Sequence, residues 1–175
     1  MSHITKSIIL ATITTLFSCR GERWDDDLTL PKQNFIGNQL KIEGYYYSMT
    51  DNNNYQIFFF YRNGTVLDAG IVTSQNLNDA ELTFANGVFY SSAINYKHDW
   101  GRFIISGTVI KREYWIPNTG PLEAHTSEGI ILNDSTFKMI KSYRSCKPKK
   151  IKEFETLYHF KKFSPKPDST NRYTN

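Results

Sequence analysis

The chain has 175 residues, a net charge of +4 and an aromatic content of 15%, most of it from 11 tyrosines and 12 phenylalanines. That length makes one domain, which can bury roughly two thirds of its unfolded surface and needs no staple to hold its core. The charge is small and spread out, apart from the run Lys147-Pro148-Lys149-Lys150-Ile151-Lys152; with no recognition helix and no aromatics among those lysines, nucleic acid is excluded as a partner.

Met1 to Thr5 is short and polar, Lys6 adds a cation, and Ser7 to Phe17 is apolar or small throughout. Ser18-Cys19 then gives way to the charged Arg20-Gly21-Glu22-Arg23. This order reads as a secretory signal, with an apolar core too short to span a bilayer. Leu16-Phe17-Ser18-Cys19 resembles the lipobox of bacterial lipoproteins. The resemblance implies a signal peptide over residues 1–18, cleavage before Cys19 and acyl chains on Cys19. It also implies export and a lipid anchor in the bacterial outer membrane, on its periplasmic or cell-surface side. An ordinary secretory signal with a chance cysteine is the alternative. With Cys19 acylated, Cys146 has no partner in its own chain and reads as buried and inert.

Residues 19–38 read as a flexible tether, because Asp25-Asp26-Asp27 and Pro31 interrupt any apolar period. From there the pattern is β. Leu40 to Met49 is strand-like and Asp51-Asn52-Asn53-Asn54 is turn-rich. Tyr55 to Arg62 and Thr65 to Val72 flank Asn63-Gly64, a strong hairpin signal that predicts a type I′ turn. Residues 73–101 are ambiguous. Leu77, Ala80, Phe84 and Val88 approximate a helical stripe with Asn78 or Asp79 as cap, whereas Asn86-Gly87 fits either a helix stop or a hairpin. A short helix or irregular lid is the expectation.

Strand character returns over Trp100 to Ile110, with Gly107 marking a bend or turn, and continues through Tyr114-Trp115-Ile116. A loop at 117–121 precedes a second hairpin, Glu123 to Leu132 and Ser135 to Tyr143, around Asn133-Asp134. The lysine run reads as a solvated loop between two strands, with a weak attraction to anionic headgroups as the alternative. Thr156 to Phe163 makes a last strand, and residues 164–175 read as a disordered tail. About seven to nine strands joined by tight turns, with little helix, predict an up-and-down antiparallel barrel or a sandwich, and a barrel leaves no edge.

Gly44-Tyr45-Tyr46 opens this β region, the Asn63-Gly64 hairpin follows, and Trp100-Gly101 precedes a Phe-x-Ile-x-Gly-x-x-Ile strand at 103–110. Trp115 and Gly129-Ile130-Ile131-Leu132 complete the order. These features resemble the small lipocalin-like (calycin-type) domains of bacterial lipoproteins, over residues 39–163. Tyr46 stands where classical lipocalins carry Trp. The resemblance implies a mainly β, up-and-down antiparallel barrel that can hold a small apolar or amphipathic ligand.

Alternation within strands makes Tyr47, Phe58, Phe60, Phe103, Ile105 and Trp115 the lining residues of such a pocket. Tyr45 is read as inward with Tyr47. Both faces of 57–61 are apolar, so the outer face needs a cover from residues 73–99, the tether or another molecule. Glu43, Asp68, Glu113 and Glu128 are candidate inward polar groups, with Arg62, Arg102 and Arg112 as cross-strand partners. His125 and Glu128 lie three apart on a strand, hence on opposite faces. The sequence shows no metal-ligand spacing, no phosphate loop and no nucleophile motif. The expected function is therefore a non-enzymatic binding module without cofactors, its membrane partner engaged through acyl chains on Cys19. The alternative is a side-chain-filled barrel that docks on a protein partner.

Overall fold

A computed structural model describes residues 24–50, 53–86 and 96–174. Eight strands run up and down in sequence order: β1 (Gly44–Met49), β2 (Asn54–Phe60), β3 (Thr65–Thr73), β4 (Trp100–Ser106), β5 (Val109–Ile116), β6 (Glu123–Asn133), β7 (Thr136–Arg144) and β8 (Lys152–Lys162). Each pairs antiparallel with the next, and β8 returns to β1 through Tyr46↔Phe160 and Tyr47↔His159, closing the barrel. The architecture is the expected mainly β, closed up-and-down barrel and is consistent with a lipocalin-like fold. One short helix, α1 (Leu77–Ala85), follows β3 and buries Ala80 and Phe84, two residues of the expected stripe. Its cap is Asn76 rather than Asn78 or Asp79. Val88 and Gly87 lie outside the described residues.

Tight turns seal one end of the barrel. The Asn63-Gly64 hairpin forms, but not with the type I′ turn: positive φ occurs only at Gly64 (+79°). The Tyr61 N–H bonds to the Thr65 carbonyl, and the Asn63 Oδ1 accepts from the Thr65 N–H at 3.1 Å. This is a longer loop ending in a left-handed glycine, where a Cβ would run into the Gln33 carbonyl oxygen. Gly107 has φ of +60° at the first loop position between β4 and β5, as a two-residue hairpin turn needs. The β6–β7 hairpin turns at 134–135. The other end, the mouth, carries the connections from β1 to β2, β3 to β4, β5 to β6 and β7 to β8.

Two apolar clusters lie on opposite sides of the sheet. One contains Tyr46, Phe58, Phe60, Val66, Phe103, Ile110, Ile131, Phe137, Met139 and Tyr158, with every strand represented, so it fills the barrel interior. The other gathers Tyr45, Ile57, Phe59, Leu67 and Trp100 from β1 to β4 with Ala80 and Phe84 of α1. From the 73–99 segment, α1 thus supplies the cover that the doubly apolar β2 required.

The described segments flanking the barrel differ from the sequence reading. Residues 24–38 are a strap down the outer wall rather than a loose tether. The Asp26 carboxylate, 4% exposed, accepts from the Ala124 N–H and from Arg144 Nε at 3.0 Å. Halfway down, the Thr29 hydroxyl and Leu30 N–H donate to the buried Glu113 carboxylate at 2.9 and 2.6 Å. Phe35, Leu40 and Ile42 then plug the sealed end. Acidic residues pack here because each meets backbone donors or a cation. The tail after β8 is likewise seated. Lys166 Nζ donates to the Ile42 and Phe60 carbonyls at 2.7 and 2.6 Å and lies over the Tyr61 ring. Burial lowers its pKa to about 8, and Tyr173 packs on the outer cluster.

Candidate functional site

The barrel interior divides across its length. In the sealed half the inward positions are aromatic and touch edge to face: Phe60 lies 5.6 Å from Tyr46, 4.9 Å from Phe103 and 5.8 Å from Phe137. Phe137 stacks on Tyr158 at 4.9 Å. Each such ring contributes roughly 1.5–3 kcal/mol by burial, and this half is filled by side chains.

Above that layer the same strands turn polar. The inward alternation of β5 runs Ile110, Arg112, Tyr114, Ile116. The Arg112 guanidinium lies between the Phe58 and Tyr114 rings, 3.9 and 4.2 Å from their centroids. Its side chain is 8% exposed, 4.0 Å from Asp68 Oδ2, and its Nε has no hydrogen-bond partner. Asp68 accepts from Gln56 Nε2 at 3.2 Å, and the Tyr158 hydroxyl donates to Gln56 Oε1 at 3.0 Å. Burial raises the Asp68 pKa, against the opposing pull of Arg112. Asp99, at the mouth, is pushed up to about 7 by burial and then by the Asp68 charge; His98 lies 3.6 Å from it. Burial also pushes the Tyr158 hydroxyl up to about 12.

The barrel is open beyond this polar floor. A recess of about 700 Å³ is lined by Tyr114, Ile116, Ser142 and Phe154 from the inner wall and by His125, Arg144, Lys147, Lys150 and Lys152 around its rim. A second recess of about 690 Å³ lies where β1 stops and β8 continues, bordered by Ser48, Gln56 and Thr156 inside and by Tyr47, Tyr55 and His159 outside. Strand lengths explain this opening, because β1 has 6 residues and β8 has 11. Volumes of this size suit one small organic molecule each, with polar groups converging on an apolar wall.

Of the expected lining residues, Phe58, Phe60, Phe103 and Ile105 are inward and close together. Phe60 and Phe103 belong to the packed half, where a ligand finds no room. Phe103 and Ile105 also border a groove of about 350 Å³ against the strap at the sealed end. Tyr47 and Trp115 face outward, correcting their assignment. Tyr47 packs on Tyr45 and Tyr55 beside the outer cluster. Trp115 lies under the strap, with its Nε1 donating to the Asp26 carbonyl at 2.7 Å and Lys97 over its ring.

Of the candidate inward carboxylates only Asp68 points in, and of the three candidate arginines it is Arg112 that lies beside it, at 4.0 Å. Glu113 and Glu128 face out, and burial is overcome at Glu128 by Tyr143, Lys111 and Lys141, which hold its pKa down near 2. His125 and Glu128 do lie on opposite faces; His125 instead meets Glu123 at 3.4 Å. The rim residues were missed, although the Arg112-Glu113-Tyr114 alternation carried part of the signal.

Cys19, the expected lipidation site, lies outside the described residues. Cys146 is disulfide-bonded, which corrects the expectation of an inert unpaired thiol. Among the described residues no cluster of His, Cys, Asp or Glu could hold a metal ion, and no helix is long and apolar enough to cross a membrane. No family model, no curated protein and no solved structure matches the chain.

Proposed function

We propose that this protein is a non-enzymatic binding module of the cell envelope whose barrel mouth receives one small amphipathic molecule. The observation that carries the binding role is the division of the interior: a barrel built only as a scaffold has no use for a buried Arg112–Asp68–Gln56 floor beneath an open recess. Burying those groups is unfavourable unless they are partnered, so their presence under an opening marks a place where a ligand supplies the missing partners. The docking alternative is weaker, because α1 and the tail already cover the outer apolar face from within the chain.

Native mass spectrometry of protein extracted from cells tests this role. A retained small molecule supports the binding role, and a chain that takes up no amphiphile from a panel added to it overturns that role. The sulfur chemistry tests the expected anchor on Cys19 against the disulfide of Cys146. With two cysteines in the chain, a thioether on Cys19 excludes an intrachain disulfide to Cys146. Fatty mass on Cys19 supports the anchor, and an unmodified Cys19 in protein from cells overturns it.

A further inference from the structure

We infer that the mouth recess selects molecules carrying an anionic group, a carboxylate or a phosphate, on a compact apolar body. This inference rests on the binding role proposed above. The loop 145–151 folds into tight turns, with the Lys147 N–H on the Arg144 carbonyl at 2.8 Å and the Lys150 N–H on the Lys147 carbonyl at 3.3 Å. These turns bring Lys147, Lys150 and Lys152 to one rim of the recess rather than dispersing them into solvent.

The carboxylate that lines the recess is already engaged. Glu123, the one carboxylate lining the recess, pairs with Arg144 at 2.6 Å and with His125 at 3.4 Å. Asp26 holds Arg144 from the other side at 3.0 Å. Among the described residues, Lys147, Lys150 and Lys152 have no carboxylate within 4.0 Å. One layer deeper lies Arg112, offset by Asp68 at 4.0 Å but with an unpartnered Nε–H. A concave site lined by one sign of charge concentrates ions of the other.

The wall beneath the rim is apolar only over Tyr114, Ile116 and Phe154, with Ser127 and Ser142 among them, so the body it fits is short. The second recess offers a contrast within the same molecule: it is bordered by Glu155 and His159 and by no lysine.

The test uses the full chain and the neutral fluorophore N-phenyl-1-naphthylamine, displaced in turn by decanoate, decyl phosphate and decanol. Either anion should compete about tenfold better than decanol at low salt, and that advantage should shrink as salt is raised. If decyl phosphate leads decanoate, the natural source is a phosphate headgroup; the reverse order points to a free carboxylate. The variant K147Q/K150Q/K152Q changes only exposed side chains. It should lose the anion preference, decanoate and decyl phosphate falling to the level of decanol. Equal competition by all three compounds, or an unchanged preference in the triple variant, overturns the inference and leaves the binding role standing. No displacement by any of them overturns the binding role itself.

Discussion

The sealed half and the mouth half of the barrel are built from the same eight strands and differ in what the inward positions carry. Along β5, Ile110 meets the aromatic pack, whereas Arg112 and Tyr114, two and four residues on, enter a polar layer under open space. Along β2, Phe60 and Phe58 are core, whereas Gln56 belongs to the floor. Alternation decides only which side of the wall a residue faces; depth along the barrel axis decides whether it stabilises the fold or meets a ligand. Stability is concentrated at one end, leaving the other free to keep groups that folding alone disfavours.

The strongest way to break this comparison is to empty the sealed half. Phe60→Ala removes a ring in contact with three others and should cost about 3–5 kcal/mol in urea unfolding. Ligand affinity per folded molecule should not change. A shifted affinity with unchanged stability would put Phe60 in the site and not in the core. The next effect lies outside the barrel. Asp26→Ala leaves the Ala124 N–H without its acceptor and takes one of two carboxylates from Arg144, and should cost roughly 2–4 kcal/mol, read as a lower urea midpoint. A neutral result would mean that the strap contributes nothing to stability.

The hairpins were legible because their turns carry local chemistry: Asn63-Gly64, Gly107 and Asn133-Asp134 each stand where the chain reverses. So was the helix, through Ala80 and Phe84, and so was the need to cover β2. Face assignment failed where alternation is silent. Tyr45-Tyr46-Tyr47 is aromatic at every position, so β1 has no readable parity, and Tyr46 is the inward residue. On β5, Glu113 and Trp115 are buried on the outer face by a strap whose aspartates read as solvated. The packing of Asp26 depends on Arg144, far away in sequence, and no local pattern announces such a contact. The lysine run lies in a loop between two strands, as its charge predicts, but its convergence on a recess follows from the closure of β7 and β8 and not from spacing.

A smaller effect separates the halves by pH. Unfolded aspartate titrates near 3.8, whereas Asp99 in the fold titrates near 7. Between these values the folded protein holds a proton that the unfolded chain has released. The stability due to Asp99 is therefore fully present below pH 4 and is lost as pH rises through 7. Screening at the mouth limits the change to about 1–2 kcal/mol. Asp99→Asn should flatten the slope of stability against pH between 5 and 8. Glu128 has the opposite sign, its contribution being lost as pH falls from 4.5 toward 2, so this window isolates Asp99 from it. An identical slope in the variant would show that Asp99 is not held neutral.

The smallest expected change in stability is the sharpest for function. Ser142 lines the mouth recess, and an added leucine side chain there enters open volume rather than a packed core. Ser142→Leu should shift the urea midpoint by less than about 0.5 kcal/mol, because no close-packed neighbour has to move. The same substitution shortens the space available beside Tyr114 and Phe154, so displacement of the naphthylamine probe should weaken several-fold. Loss of stability comparable to that of Phe60→Ala would show that the mouth is packed in solution as tightly as the sealed end, and the two halves would then be one core.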